Sequence, residues 1–233
     1  MPFRCPNRSV FSPGLIFILV ALLWSTPGYT ASYAEIVRQF EAIAFSDEGG
    51  NYTNSFRRWP AGRDIRIRID GGGKPSALLL EVLDQLTALS GIRMTVAEPA
   101  NIVVTYVSRG CSGQTNNFRG TVRISTSSSR ATVRCTHEEL AQLIGPANDD
   151  CHYRPSIFYG RDFIERFTDA DKIILRTTFD PRLRNGMTRA EGMPIARQII
   201  RELYEEQYGL VRNEDRERDT ETIAEDTDAL SLP

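Results

Sequence analysis

Between Ile65 and Val107 the spacing of apolar residues changes from every second position to a helical period and back. That switch restricts the architectures open to the chain. Ile65, Ile67 and Ile69 alternate with Arg66 and Arg68, the pattern of a strand with one buried face. The run from Asp70 to Pro75 is a turn. It is not a phosphate loop, because Arg68 stands where G-x-x-x-x-G-K-[ST] needs its first glycine and Pro75 stands where it needs a hydroxyl. Ser76 to Leu89 then sets Leu79, Leu80, Val82, Leu83, Leu86 and Leu89 on one broad helical face, with Gly91 as the stop. Ile92 to Val96 and Ile102 to Val107 read as strands again. The order is a strand, a long helix and two further strands.

The flanks extend this plan. Ser32 to Phe45 carries Ile36, Val37, Phe40, Ile43 and Ala44 at helical spacing. Thr121, Val122, Arg123, Ile124 and Ser125 form a further strand whose polar alternation suits a sheet edge. Ser127 to Ser129 offer caps for a helix ending at Gly145, although Thr136 with Glu139 also fits a capping box and allows a later start. Thr168 with Asp171 fits a cap for a helix through Ile173, Ile174 and Leu175, and a last helix spans Arg189 to Tyr208.

With 233 residues, 41% of them hydrophobic, the chain suits one domain with short tails. A net charge of -2 speaks against a nucleic-acid partner, which asks for a concentrated basic patch. Arg4 and Arg8 precede an apolar stretch from Leu15 to Trp24 and then small residues near Thr30, the pattern of a secretory signal peptide over 1–31. The stretch is shorter than the roughly 20 apolar residues of a spanning helix, so no stable membrane anchor is expected after cleavage. The domain then covers 32–211. Over 212–233 acidic residues outnumber basic ones eight to three, the composition of a disordered acidic tail. Removal of the signal would leave Cys111, Cys135 and Cys151. Export favours one disulfide, with Cys111–Cys135 the expected pair and Cys135–Cys151 its rival. A zinc set of Cys135, His137, Cys151 and His152 lacks the usual ligand spacing.

The segment from Glu138 to Asn148 carries the chemistry. Set against H-E-x-x-H-x-x-G-x-x-H, it places Glu138, Gln142 and Asn148 at the three histidine positions and keeps Glu139 and Gly145. Downstream come Ser156-Ile157-Phe158-Tyr159, with Phe158 where a Met-turn has methionine, and Thr168-Asp169-Ala170-Asp171. In this order, over about Arg63 to Phe179, the pieces resemble the matrixin branch of the metzincin zinc proteases. The resemblance implies an α+β, zincin-like fold: a twisted mixed sheet with the long helix and the motif helix packed on it, and further helices C-terminal to it. A closer resemblance, over nearly the whole mature domain, is to an uncharacterised group of bacterial secreted proteins, a domain of unknown function. It rests on Glu138 to Gln142, Asn148-Asp149, Ser156 to Phe158, and Asp180 to Met187. It implies a protein exported to the periplasm or beyond by a Gram-negative-type bacterium.

One carboxylate and two neutral amides make a poor zinc set, and without the metal Glu139 has no polarised water to activate. No cofactor is therefore expected. Calcium at Glu138, Asn148, Asp149 and Asp150 is chemically more sensible than zinc. The reading preferred over either metal is a hydrogen-bonded polar cluster of Glu138, Gln142 and Asn148. A non-catalytic module is then expected to bind a peptide or envelope protein along the edge Thr121 to Ser125, near Glu139 and Tyr159. The alternatives are a hydrolase using a different metal, or carboxylates alone, at Glu138 and Glu139, and a plain structural protein of the envelope.

Overall fold

The computed structural model describes residues 31–45, 55–149, 152–153, 155–159 and 164–209. The expected signal peptide, apart from its last residue, and the acidic tail lie outside them, as do Asp150 and Cys151. The fold is a mixed α/β one. Strands β1 (Ile65–Ile69), β2 (Met94–Val96), β3 (Ile102–Val107), β4 (Ser112–Asn116) and β5 (Arg119–Ser125) accompany helices α1 (Tyr33–Ala44), α2 (Ala77–Ser90), α3 (Ser129–Ile144), α4 (Asp169–Phe179) and α5 (Arg189–Tyr208).

The strands form one sheet in the order β2-β1-β3-β5-β4. All neighbours are parallel except β4, which runs antiparallel to β5. Parallel neighbours need crossovers, and α2 supplies the one from β1 to β2. Ile65, Ile67, Ile69, Ile102, Val104, Val122 and Ile124 point into the core, whereas Arg66, Arg119, Thr121 and Arg123 on alternate positions are exposed. One face of the sheet therefore meets the hydrophobic core and the other meets solvent.

Hydroxyl caps set where the helices begin. Ser32 and Glu35 form a capping box at α1, as do Thr168 and Asp171 at α4 and Thr188 and Glu191 at α5. Ser76 accepts from Leu79 N at α2, which stops at Gly91 in the left-handed conformation, φ 69°. Ser128 accepts from Ala131 N, so α3 takes the earlier of its two starts. Thr136, inside that helix, instead donates its hydroxyl to the Thr132 carbonyl at 2.7 Å.

The sheet edge differs from the expectation. Thr121 to Ser125 do form a strand, but β5 lies between β3 and β4, and the edge on that side is β4. Ser112-Gly113-Gln114-Thr115-Asn116 has no apolar residue and hence no period-2 signal. A tight turn produces the strand instead. Asn117 and Phe118 adopt φ 48° and 61°, as a two-residue hairpin requires, and fold β4 back along the outside of β5.

Candidate functional site

Helix α3 is held beneath the edge strand at two points. Cys111 and Cys135 form a disulfide with their Cα atoms 5.7 Å apart, the pair expected from the sequence. With Cys135 in that bond, the zinc set of cysteines and histidines has lost a ligand. Two residues along β4, a Cβ on Gly113 would lie 3.2 Å from the Glu139 carbonyl oxygen and 3.3 Å from its Oε2. Glycine at that position lets the strand backbone approach the helix closely. Glu139 is buried under it, 8% exposed.

Glu138, one position earlier on the helix, is also buried, and Arg134 one turn back grips it bidentately at 2.9 Å (Nε–Oε2) and 3.0 Å (Nη2–Oε1). Gln142, one turn on, donates from Nε2 to Asp149 Oδ1 at 2.6 Å. Asn148 is buried and donates from Nδ2 to the carbonyl of Ala42 in α1 at 3.2 Å. Helix periodicity thus stacks Arg134, Glu138 and Gln142 at successive turns of α3, and the loop after the helix brings Asp149 to them; Arg134 and Asp149 are two residues not foreseen as part of the cluster. Asn148 serves to tie the loop after α3 to α1. The i−4 arginine was a readable signal, since a buried carboxylate needs a counter-charge.

Burial pushes the Glu138 carboxyl above its ordinary range; the Arg134 hydrogen bond and charge oppose this, and the nearby Asp149 carboxylate reinforces it. Burial alone would lower Arg134, but the hydrogen bond and charge of Glu138, with Asp149 and Glu139 beyond, leave it raised. The two side chains are thus paired in a partly desolvated place, where burial works against the charge of the acidic partner. These residues suit zinc poorly. A guanidinium already occupies both oxygens of Glu138, and the amide of Gln142 is turned to Asp149. Among the described residues no group of three His, Cys, Asp or Glu side chains is placed to hold a metal ion.

The turn at Ser156 to Tyr159 is built on a second buried carboxylate. Ser156 Oγ donates to Asp171 Oδ1 at 2.6 Å, and Ile157 N reaches Asp171 Oδ2 at 3.2 Å. Asp171 Oδ2 also accepts from Thr168 N and Oγ1, each at 2.8 Å. The turn closes with Tyr159 N donating to Ser156 O at 3.0 Å and drives Phe158 fully into the core. His137 is a core histidine. Burial lowers its pKa, its Nδ1 lies 2.9 Å from the Val133 carbonyl, and its ring meets Phe167 edge-on at 5.1 Å.

No curated protein matches the chain. A family model described as "Protein of unknown function (DUF2927)" matches residues 112–198, from the start of β4 through α3, the 156–159 turn and α4 into α5; Cys111 and Ala42 lie outside the match.

Proposed function

We propose that the chain is an exported, non-catalytic module on a zincin-like scaffold, and that it captures an extended segment of an envelope protein or peptide along β4. The carrying observation is the outer side of β4: among the described residues the strand pairs only with β5, its residues Gly113 to Asn116 are exposed, and a disulfide fixes it to α3. An open edge presents unpaired backbone N–H and C=O groups, the template for strand addition. In a two-residue hairpin closed by Asn116 and Arg119, alternate positions turn their backbone groups outward, and these are Gly113 and Thr115. The carboxylate that stands at the first ligand position is bound to Arg134, which favours binding over hydrolysis. The disulfide is consistent with passage to an oxidising compartment, and no helix among the described residues is long and apolar enough to cross a membrane.

The test is incubation of the full oxidised chain with a random peptide library, with bound and cleaved peptides read separately by mass spectrometry. Capture without cleavage, weakened about tenfold by Thr115→Pro, which removes one outward N–H, is the expected result. Cleavage that Glu139→Gln abolishes would make the protein a hydrolase and end this reading.

A further inference from the structure

At the end of the sheet away from the Cys111–Cys135 bond lies an open groove of about 590 Å³, within the size range of small-molecule sites. Its walls include Arg63, Arg66 and Arg119, with Asp64, Asn101 and Phe118. Sheet register puts the arginines there. Ile67 pairs with Ile102 and Ile102 with Gly120, so one step earlier Arg66, Asn101 and Arg119 form a row across β1, β3 and β5. Strand spacing sets the two outer backbones about 10 Å apart, with both side chains on the solvent face. Asn101 makes the floor rigid: its Oδ1 accepts from Arg66 N at 2.8 Å and its Nδ2 donates to Asp64 O at 2.9 Å.

Arg63 completes the set from the preceding loop. Its carbonyl accepts from Trp59 Nε1 at 2.8 Å, and its guanidinium lies 4.2 Å from the Phe118 ring centroid. The Phe118 ring also meets Trp59 edge-on at 5.8 Å. Phe118 holds φ 61°, a left-handed conformation that costs a bulky residue on the order of 1–2 kcal/mol and that glycine would adopt freely. That cost keeps an aromatic ring in the groove wall, against the arginine.

The arginines of this groove carry charge that no ion pair among the described residues neutralises. Arg134, Arg176, Arg182 and Arg189 each bind a carboxylate. Among the described residues Arg63, Arg66 and Arg119 have no carboxylate within ion-pair distance. Three guanidiniums against Asp64 leave the groove at +3 − 1 = +2. We infer that the groove binds the phosphate group of a phosphate ester, held between Arg66 and Arg119 and closed over by Arg63. A phosphate monoester, with three free oxygens and a charge approaching about −2, matches three forked donors better than a carboxylate with two oxygens and one charge. The site is separate from the outer side of β4 and stands without the peptide reading.

The probes are phenyl phosphate, titrated by calorimetry into the full chain, and sedimentation with phosphatidylcholine vesicles with and without phosphatidic acid. Saturable binding of either phosphate-bearing probe is expected, weakened at least about tenfold in Arg66→Gln/Arg119→Gln and by added salt. Both residues are exposed, so an unchanged thermal midpoint serves as the folding control. Binding of the soluble ester alone identifies a small-molecule site, and binding of the vesicles that the double variant abolishes identifies a lipid headgroup site. No saturation of either probe by ~10 mM phosphate, or binding by the double variant within about twofold of the natural chain, overturns the proposal.

Discussion

Asp171 and Glu138 are both buried carboxyls in the region that carries the family match, both pushed above the ordinary carboxyl range by burial, and they are satisfied in opposite ways. Asp171 is fully buried and surrounded by neutral donors: the hydroxyls of Ser156 and Thr168 and the backbone N–H groups of Ile157 and Thr168. Those donors come from two chain segments, so the carboxyl joins the 156–159 turn to the start of α4. Glu138 relies on a cation one turn back on its own helix and on a neighbouring exposed acid. The first arrangement builds tertiary structure. The second neutralises a charge locally and adds little to the fold.

The largest expected effect follows from that difference. Asp171→Ala leaves the Ser156 hydroxyl and the Ile157 and Thr168 N–H groups without an acceptor inside the protein, and it should cost about 3–5 kcal/mol in urea unfolding. A loss below about 1 kcal/mol would show that water replaces the carboxyl and that the turn does not depend on it. Next comes the disulfide. Its partners are 24 residues apart, and Cys111→Ser/Cys135→Ser should lose about 3 kcal/mol. The double substitution should also speed amide exchange in β4 more than in β3, since only the edge strand loses its tie to α3. Equal acceleration in both strands would contradict the pinned edge.

These two examples also mark how far the sequence could be read. The capping box at Thr168 and Asp171 was visible because it is local: a hydroxyl, three residues and an acid. What could not be seen is that Asp171 also collects Ser156 and Ile157 from a turn 14 and 15 residues earlier, since chain pattern carries no distance across a loop. The same limit explains the edge. Strands β1 and β3 announce themselves through alternating isoleucine and valine, but β4 holds its place by a left-handed turn at Asn117-Phe118 and by its disulfide. A turn built on Asn-Gly would have been easy to recognise. In the site, Glu138 and Gln142 lie one helical turn apart on α3, while Asn148 depends on where the chain goes after Gly145 and turns to α1. The groove was illegible for a simpler reason. Its arginines come from a loop and two strands, and only parallel register lines them up.

The smallest expected effect sharpens the comparison most. Glu138→Gln removes the charge but keeps the shape, and the pair it dissolves includes Arg134, whose side chain is 35% exposed and solvated. The cost near neutral pH should therefore be about 1 kcal/mol or less, far below that of Asp171→Ala. The pH dependence has a definite sign. Because burial raises the Glu138 carboxyl above its unfolded value, the native chain holds that proton more tightly than the unfolded one. The native carboxyl contributes its full stability below the unfolded pKa and loses part of it as pH rises through the native pKa. Relative to Glu138→Gln, the natural chain should thus be at its best near the acidic end of this window and lose ground above it. Urea midpoints of the two proteins across the carboxyl range, subtracted pH by pH, measure this directly. A difference that grows with pH would mean that Arg134 outweighs burial and holds Glu138 ionised, and the helix would then carry a conventional salt bridge.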